Sequence, residues 1–247
     1  MPTLFSNIII LNQTNSTNAY AIDLLKSKKA KEGTVIFANF QTNGEGQRGE
    51  NWESDYDKNI LMSMVLSPNI PVNNQFDITI CISLALFNLL KRYIKEGVKI
   101  KWPNDILIAD KKIAGILIQN FVNADKVKDV IVGIGLNINQ KKFPDFSTQA
   151  TSLALELEKE FDVLSLQKDI LKAVEQSYLQ FGQGKIDKMK AEYLTNLYGF
   201  KNWREYKIQN KKIKAKIFGI DESGRVILQF KDAYKKAFSL KEIKYLI

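Results

Sequence analysis

The chain has 247 residues, 45% of them apolar, with 36 lysines and arginines against 27 acidic residues, one cysteine and no histidine. That length holds one large domain, or one main domain with a small appendage, and a single cysteine excludes a disulfide framework. Without histidine there is no Ser-His-Asp or Cys-His triad and no histidine-ligated zinc. Any chemistry must rest on lysine, arginine, carboxylates, backbone dipoles or a metal brought in with a substrate.

In chain order, residues 5–11 read as a short strand. Asn15-Ser16-Thr17-Asn18 follows, then Ala19, Ile22, Leu24 and Leu25 at helical spacing. Ser16 or Thr17 is the candidate N-cap, and a helix start can also hold an anion. Val35-Ile36-Phe37-Ala38 reads as a buried strand leading into QTNGEGQRGENW at residues 41–52. Gly44, Gly46 and Gly49 let a ligand approach backbone N–H groups, Arg48 adds a permanently charged planar fork, and Trp52 gives a closing loop something large to bury. Gly44-x-Gly46-x-x-Gly49 also matches a dinucleotide fingerprint. No helical stripe opens at Gly49, however, and no acid stands near Asn69, where a ribose contact would need one. A surface hairpin without a ligand is the plainer alternative for this loop taken singly.

Ile60–Leu66 reads as a second strand, ended by Pro68 and Pro71. A helix is expected over 75–95, with Phe76, Ile80, Leu84, Phe87 and Ile94 on one face, Lys91, Arg92 and Lys95 near its end, and Gly97 terminating it. Cys81 lies inside its apolar run and reads as packing. Residues 98–102 form a strand with Val98 and Ile100 on one face and Lys99 and Lys101 on the other. The turn Pro103-Asn104-Asp105 follows, and Pro103 keeps Trp102 extended. Lys101 either snorkels to water or faces a ligand. Residues 106–109 and 113–122 make a hairpin around Asp110-Lys111. Gly115 inside it weakens the strand unless something must come close. The run 130–139 is one more buried strand with Gly133 and Gly135. Asn137 and Asn139 lie on one face at its end, suited to a polar edge such as adenine or a ureido ring, or to a turn.

Beyond residue 150 the character changes. Thr151 or Ser152 caps a short helix to Phe161, Ser165 caps another to Phe181, and a third covers 185–197. Gly199 and Lys201-Asn202 mark a boundary, giving a main domain over 1–199 and a small one over 200–247. The latter shows period-two strands at 206–208, 213–220, 226–230 and 237–240, with a hairpin turn at Asp221-Glu222-Ser223-Gly224. A unit this small is marginal alone and is expected to dock on the main domain. The net charge of +9 favours anionic partners, but the lysines are spread along the chain, and the clusters at 26–31 and 211–216 read as solvated faces. No signal-peptide pattern and no membrane-length apolar run is visible, so a cytoplasmic protein is expected.

Four stretches together resemble the bacterial biotin protein ligase family: Ser16-Thr17-Asn18, the loop from Gln41 to Trp52, Lys101-Trp102-Pro103-Asn104-Asp105, and the pair Lys112-Ile113-Ala114-Gly115-Ile116-Leu117 and Gly133-Ile134-Gly135-Leu136-Asn137. The resemblance implies an α+β fold: a mixed β-sheet packed with helices, class II synthetase-like, plus a small C-terminal SH3-like β-barrel. It implies that biotin and ATP give biotinyl-5′-AMP and pyrophosphate. A lysine of a biotin carboxyl carrier domain of a biotin-dependent carboxylase then takes the biotinyl group. Mg²⁺ would be held largely by substrate phosphates, with no protein metal site.

Carried over by position, Ser16, Thr17, Asn18 and Gln41 would line the biotin pocket. Glu45, Gly46 and Gln47 would close over it, and Gly115 would allow close approach. Lys101 would bridge the biotin carboxylate and the α-phosphate. Arg48 would neutralise phosphate, Trp52 would pack by the adenine, and Asn137 would face the nucleotide. The chain departs from the common pattern at Glu45, Gln47 and Glu50, where family members often carry arginines. The family holds its adenylate with the arginine at the Gln47 position, so Arg48 would take over that charge. The family's optional N-terminal helix-turn-helix has no counterpart, so no DNA partner is expected. No membrane partner is expected either, and an exposed strand edge in the main sheet offers a contact for either a second copy, giving a homodimer, or the carrier. The alternatives are a lipoate or octanoate ligase or transferase of the same superfamily and, more remotely, a basic nucleic-acid-binding module. The loop with Trp52 and the KWPND turn favour biotin. Scattered lysines and the lack of a recognition helix or aromatic-basic strand motif disfavour nucleic acid.

Overall fold

The structure is a computed structural model and describes residues 4–144 and 149–246. In chain order its elements are β1 (Asn7–Thr14), α1 (Thr17–Lys26), β2 (Thr34–Gln41), β3 (Ile60–Leu66), the two-residue β4 (Ile70–Pro71), α2 (Phe76–Leu90), β5 (Val98–Lys101), β6 (Asp105–Ile108), β7 (Lys111–Asn123) and β8 (Lys126–Leu136). Then come α3 (Leu153–Leu157), α4 (Val163–Gly182), α5 (Ile186–Asn196), β9 (Arg204–Ile208), β10 (Lys211–Ile220), β11 (Val226–Gln229), β12 (Lys235–Phe238) and β13 (Ile243–Tyr245).

The first sheet runs β1-β2-β3-β8-β7-β6-β5, with β4 pairing β8. Only β1 and β2 are parallel. β3 is buried at every position, as expected for a strand covered on both faces. Its Met62 and Met64 face α2 and α4 in the main core, while Val65, with Ile36 and Ile131, meets α1 on the other side. α2 is apolar nearly all round and lies buried in the middle of the molecule. Burial pushes the Cys81 thiol up to about 12, against a pull from Ser177, so it packs as a small apolar side chain.

Several boundaries differ from expectation for physical reasons. β1 is shifted along the chain because its parallel ladder with β2 extends from Asn7↔Thr34 to Thr14↔Gln41, past its apolar residues. α2 stops at Leu90, where the chain tightens into turns, so Lys91, Arg92 and Lys95 lie beyond it. Ile94 still reaches the core from there. α3 ends at Leu157 because Glu158 is left-handed, and α4 starts under an Asp162 cap, three residues before Ser165. β8 ends at Leu136, so Asn137 and Asn139 do not alternate on a strand. Asn139 instead clamps Phe161, donating to its carbonyl at 2.8 Å and accepting from its N–H at 3.0 Å.

The second sheet is antiparallel, ordered β12-β11-β10-β9-β13. That path is open, and no closed barrel forms among the described residues. β13, too short to show a period in sequence, completes it beside β9. The sheet sits against the main core through Trp102, whose indole N–H donates to the Gly224 carbonyl at 2.8 Å. Among the described residues no helix is long and apolar enough to cross a membrane.

Candidate active site

One end of the first sheet carries a chain of side chains that secure each other. Ser16 caps α1 by accepting from Ala19 N–H. The first free N–H of that helix, at Thr17, donates to Gln41 Oε1 at 2.7 Å, and the Thr17 hydroxyl donates to the same oxygen at 2.9 Å. Ser63 Oγ lies 2.8 Å from Thr17 Oγ1 and donates to Asn18 Oδ1 at 2.6 Å, while Asn18 Nδ2 donates to Gln119 Oε1 at 2.8 Å. Ser16, Thr17 and Asn18 are all buried, so the satisfied network fixes a polar wall in one orientation.

The floor is built from paired glycines. Gly115 on β7 stands opposite Gly135 on β8, and the Trp52 indole lies across both. A methyl at Gly115 would come 2.9 Å from the indole, and one at Gly135 would overlap it outright. Gly133 leaves room for the Asn18 amide in the same way. The loop carrying Trp52 closes on itself: Trp52 N–H donates to Gly44 O at 2.8 Å, Gly46 N–H donates to Glu50 O at 2.6 Å, and Gln47–Gly49 form a 3₁₀ turn at the tip.

Two cavities result. The smaller, of about 40 Å³, is bounded by Ser16, Thr17, Asn18, Gln41, Glu45, Gly46, Gln47, Trp52, Lys112 and Gly115, among others. That is far below the roughly 300–1,000 Å³ of small-molecule sites, because the indole fills the space over the floor. The larger, of about 570 Å³, opens between the two sheets. Gln47, Trp52, Lys101, Asn104, Asp105, Lys112, Asn137, Lys244 and Tyr245 are among its walls.

Asp105 stands where the cavities adjoin. Its carboxylate lies 3.1 Å from Lys101 Nζ and 2.8 Å from Lys112 Nζ. Burial pushes its pKa up, but the ammonium groups of Lys112 and Lys101 pull further, and the carboxyl ends below the ordinary range. Register pairs Lys101 with Asp105 and Asp105 with Gly115, and Lys112, itself opposite Leu107, reaches the carboxylate by running its side chain past Gly115. Asn104 secures the turn by donating to Ile116 O at 2.8 Å. Asn137 donates to Thr151 O at 2.9 Å, and its buried Oδ1 has no partner among the described residues at the edge of the larger cavity.

Eight of the residues named for a biotin pocket surround the smaller cavity: Ser16, Thr17, Asn18, Gln41, Glu45, Gly46, Gln47 and Gly115. Lys101 does not; it borders the larger one, with Trp52 and Asn137. The Arg48 side chain lies outside the described residues. Three contributors were missed. Ser63 is the only polar residue in the apolar run of β3, which is a usable signal. Gln119 gives none, because a polar residue on a strand is ordinary. Lys112 borders both cavities but reads in sequence as one of two lysines after a turn. No cluster of three His, Cys, Asp or Glu able to hold a metal occurs among the described residues.

Comparison with known proteins gives a consistent picture. Residues 10–137 match the Biotin/lipoate A/B protein ligase family. The bifunctional ligase/repressor BirA of Bacillus spizizenii is 31% identical over 236 residues, covering 94% of this chain and 72% of that protein. The biotin–[acetyl-CoA-carboxylase] ligase of Mycobacterium tuberculosis is 31% identical over 151 residues, covering 58% of this chain and 53% of its own length. A biotin protein ligase from Aquifex aeolicus, solved in complex with biotin and ATP, superposes with a TM-score of 0.78 at 25% identity, covering 97% of this chain and 98% of that one.

Proposed function

The chain belongs to the biotin/lipoate A/B protein ligase family and is a biotin protein ligase, and we propose the following division of labour among its residues. Biotin takes the smaller cavity once the Trp52 indole lifts from the Gly115–Gly135 floor, with its polar ring against the wall of Ser16, Thr17, Asn18 and Gln41. ATP takes the larger cavity. Asn137 Oδ1, a buried acceptor without a donor among the described residues, receives the adenine amino group. Trp52 packs beside the base, and Arg48 meets phosphate.

The observation that carries this reading is Lys112, paired with Asp105 and bordering both cavities. A carboxylate in one cavity and an α-phosphate in the other repel each other unless a cation lies between them. Lys112 is that cation, and Lys101 supports it from the ATP side. Both neutralise charge as it develops, the main contribution available to this class of transfer. In the first step a biotin carboxylate oxygen bonds to the α-phosphorus and the bond to the departing pyrophosphate breaks. In the second, an acceptor lysine amine attacks the carbonyl carbon, AMP leaves with the bonding pair, and the amine loses a proton. ATP brings Mg²⁺, which is held by its phosphates, since Asp105 is already occupied by two ammonium groups. Gln47 offers no charge to the adenylate, so biotinyl-5′-AMP is held less firmly than an arginine there would hold it.

The acceptor is the carrier domain of a biotin-dependent carboxylase. The setting is cytoplasmic, without a role at DNA, and a free edge of the first sheet is available to a second copy, which sedimentation would reveal. Incubation with biotin, ATP, Mg²⁺ and such a carrier domain should add one biotinyl mass to a single lysine. Preferential transfer of lipoate in direct competition would overturn the biotin assignment.

A further inference from the structure

The positive charge of this protein is concentrated in its second sheet. Residues 200–247 carry 13 of the 36 lysines and arginines but only 5 of the 27 acidic residues, a surplus of 8 in a chain whose net charge is +9. The first 199 residues are close to neutral. The charge is also arranged. On β10 the residues facing solvent are Lys212, Lys214, Lys216 and Phe218, while Ala215, Ile217 and Gly219 face inward.

Register aligns lysines across strands. Lys207 on β9 stands opposite Lys212 on β10 and also opposite Lys244 on β13, so three exposed ammonium groups form one row over adjacent strands. Neighbouring strands are about 4.8 Å apart. Like charges directly opposite on a sheet destabilise it. Among the described residues none of these three lysines has an ion-pair partner. Folding gives no reason for the row, and a partner of opposite charge would.

We propose that this row is the docking surface for the acceptor, which is a folded carrier domain with an acidic face around its target lysine. This rests on the ligase reading above. Continuity with the active site selects that partner: Lys244 belongs to the row and also borders the larger cavity, where the acceptor lysine must arrive. A protein inserting a lysine there lies across β13 and β9. The surface attracts it by complementary charge, which acts mainly on encounter rate and orientation. Contrary to the expectation from sequence, aromatic rings do accompany the lysines. Lys216 Nζ lies 5.2 Å from the Trp203 ring centroid and Lys235 Nζ 3.4 Å from that of Phe218. Among the described residues Lys207, Lys212 and Lys244 make no such pair, so the row itself is lysine alone.

The test is the double variant Lys207→Glu, Lys212→Glu, neither residue bordering a cavity. Biotin- and ATP-dependent pyrophosphate release should be unchanged, while kcat/KM for a recombinant carrier domain should fall about tenfold or more, through KM. In the wild type kcat/KM should decline with added NaCl, and the variant should lose most of that slope. Its thermal midpoint should stay close to that of the wild type, since the 207/212 pair remains like-charged while the 207/244 pair becomes one of opposite charge. Unchanged carrier kinetics in the variant would overturn the proposal. So would micromolar binding of a single-stranded oligonucleotide at physiological salt, lost in the variant while carrier kinetics stay intact. Failure of the wild type to release pyrophosphate would instead overturn the ligase reading, and the docking surface with it.

Discussion

At the scale of single residues the site turns on one carboxylate between two lysines. Lys112→Ala should lower adenylate formation by one to two orders of magnitude, corresponding to a charge-assisted contact of about 1.5–3 kcal/mol. Lys101→Ala should lower it less, because that side chain borders only the ATP side. Pyrophosphate release measured for both variants decides, and a larger loss in Lys101→Ala would reverse the assignment. Asp105 has a folded pKa below its ordinary value, so the stability it contributes is complete above the unfolded value of about 3.9 and is lost as pH falls through the lower folded one. Asp105→Asn should therefore weaken the fold at pH 7 by about 1–3 kcal/mol, leaving two half-buried ammonium groups unpaired. Urea titrations at pH 7 and pH 3 should show the gap between wild type and variant narrowing in acid. A constant gap would mean the carboxylate does not stabilise through its charge.

At the scale of elements, the cross-strand glycine pair is what lets an indole lie flat on a sheet. Gly135→Ala puts a methyl where the Trp52 ring is. The strand itself tolerates alanine, so the thermal midpoint should move little. The loop cannot reseat, however, and KM for ATP should rise about tenfold. Unchanged steady-state kinetics would show that the ring does not use this floor during turnover. Most of this frame is legible in the chain. β3 reads directly because burial on both faces leaves an uninterrupted apolar run, and the motif loop reads because its glycines crowd together. Lys112 does not read, since its importance comes from a shifted β6–β7 register that sets it opposite Leu107 while its side chain runs past Gly115 to Asp105. The end of α2 does not read, because Ile94 keeps the helical spacing while reaching the core from a turn. The lysine row was invisible for a similar reason: Lys207, Lys212 and Lys244 are distant in sequence and meet only when β9, β10 and β13 align.

At the scale of the whole molecule, the larger cavity exists because two sheets meet. Gly224 has φ +84°, its carbonyl accepts from the Trp102 indole, and the Phe76 ring packs on its α-carbon. Gly224→Ala adds about 1–2 kcal/mol of backbone strain and a collision with Phe76. The thermal midpoint should drop by several degrees, at roughly 2–4 °C per kcal/mol for a chain of this size. KM for ATP should rise as Ile243 and Tyr245 shift from the cavity wall, and a variant as stable and active as wild type would mean the sheets are held together elsewhere. The protein also has three tryptophans in three different settings. Trp102 is locked in the seam, Trp203 is open to solvent on the lysine-bearing sheet, and Trp52 lies on the floor that a ligand must claim. Intrinsic emission therefore gives an optical record of substrate arrival without any added label, with Trp52→Phe as its blank.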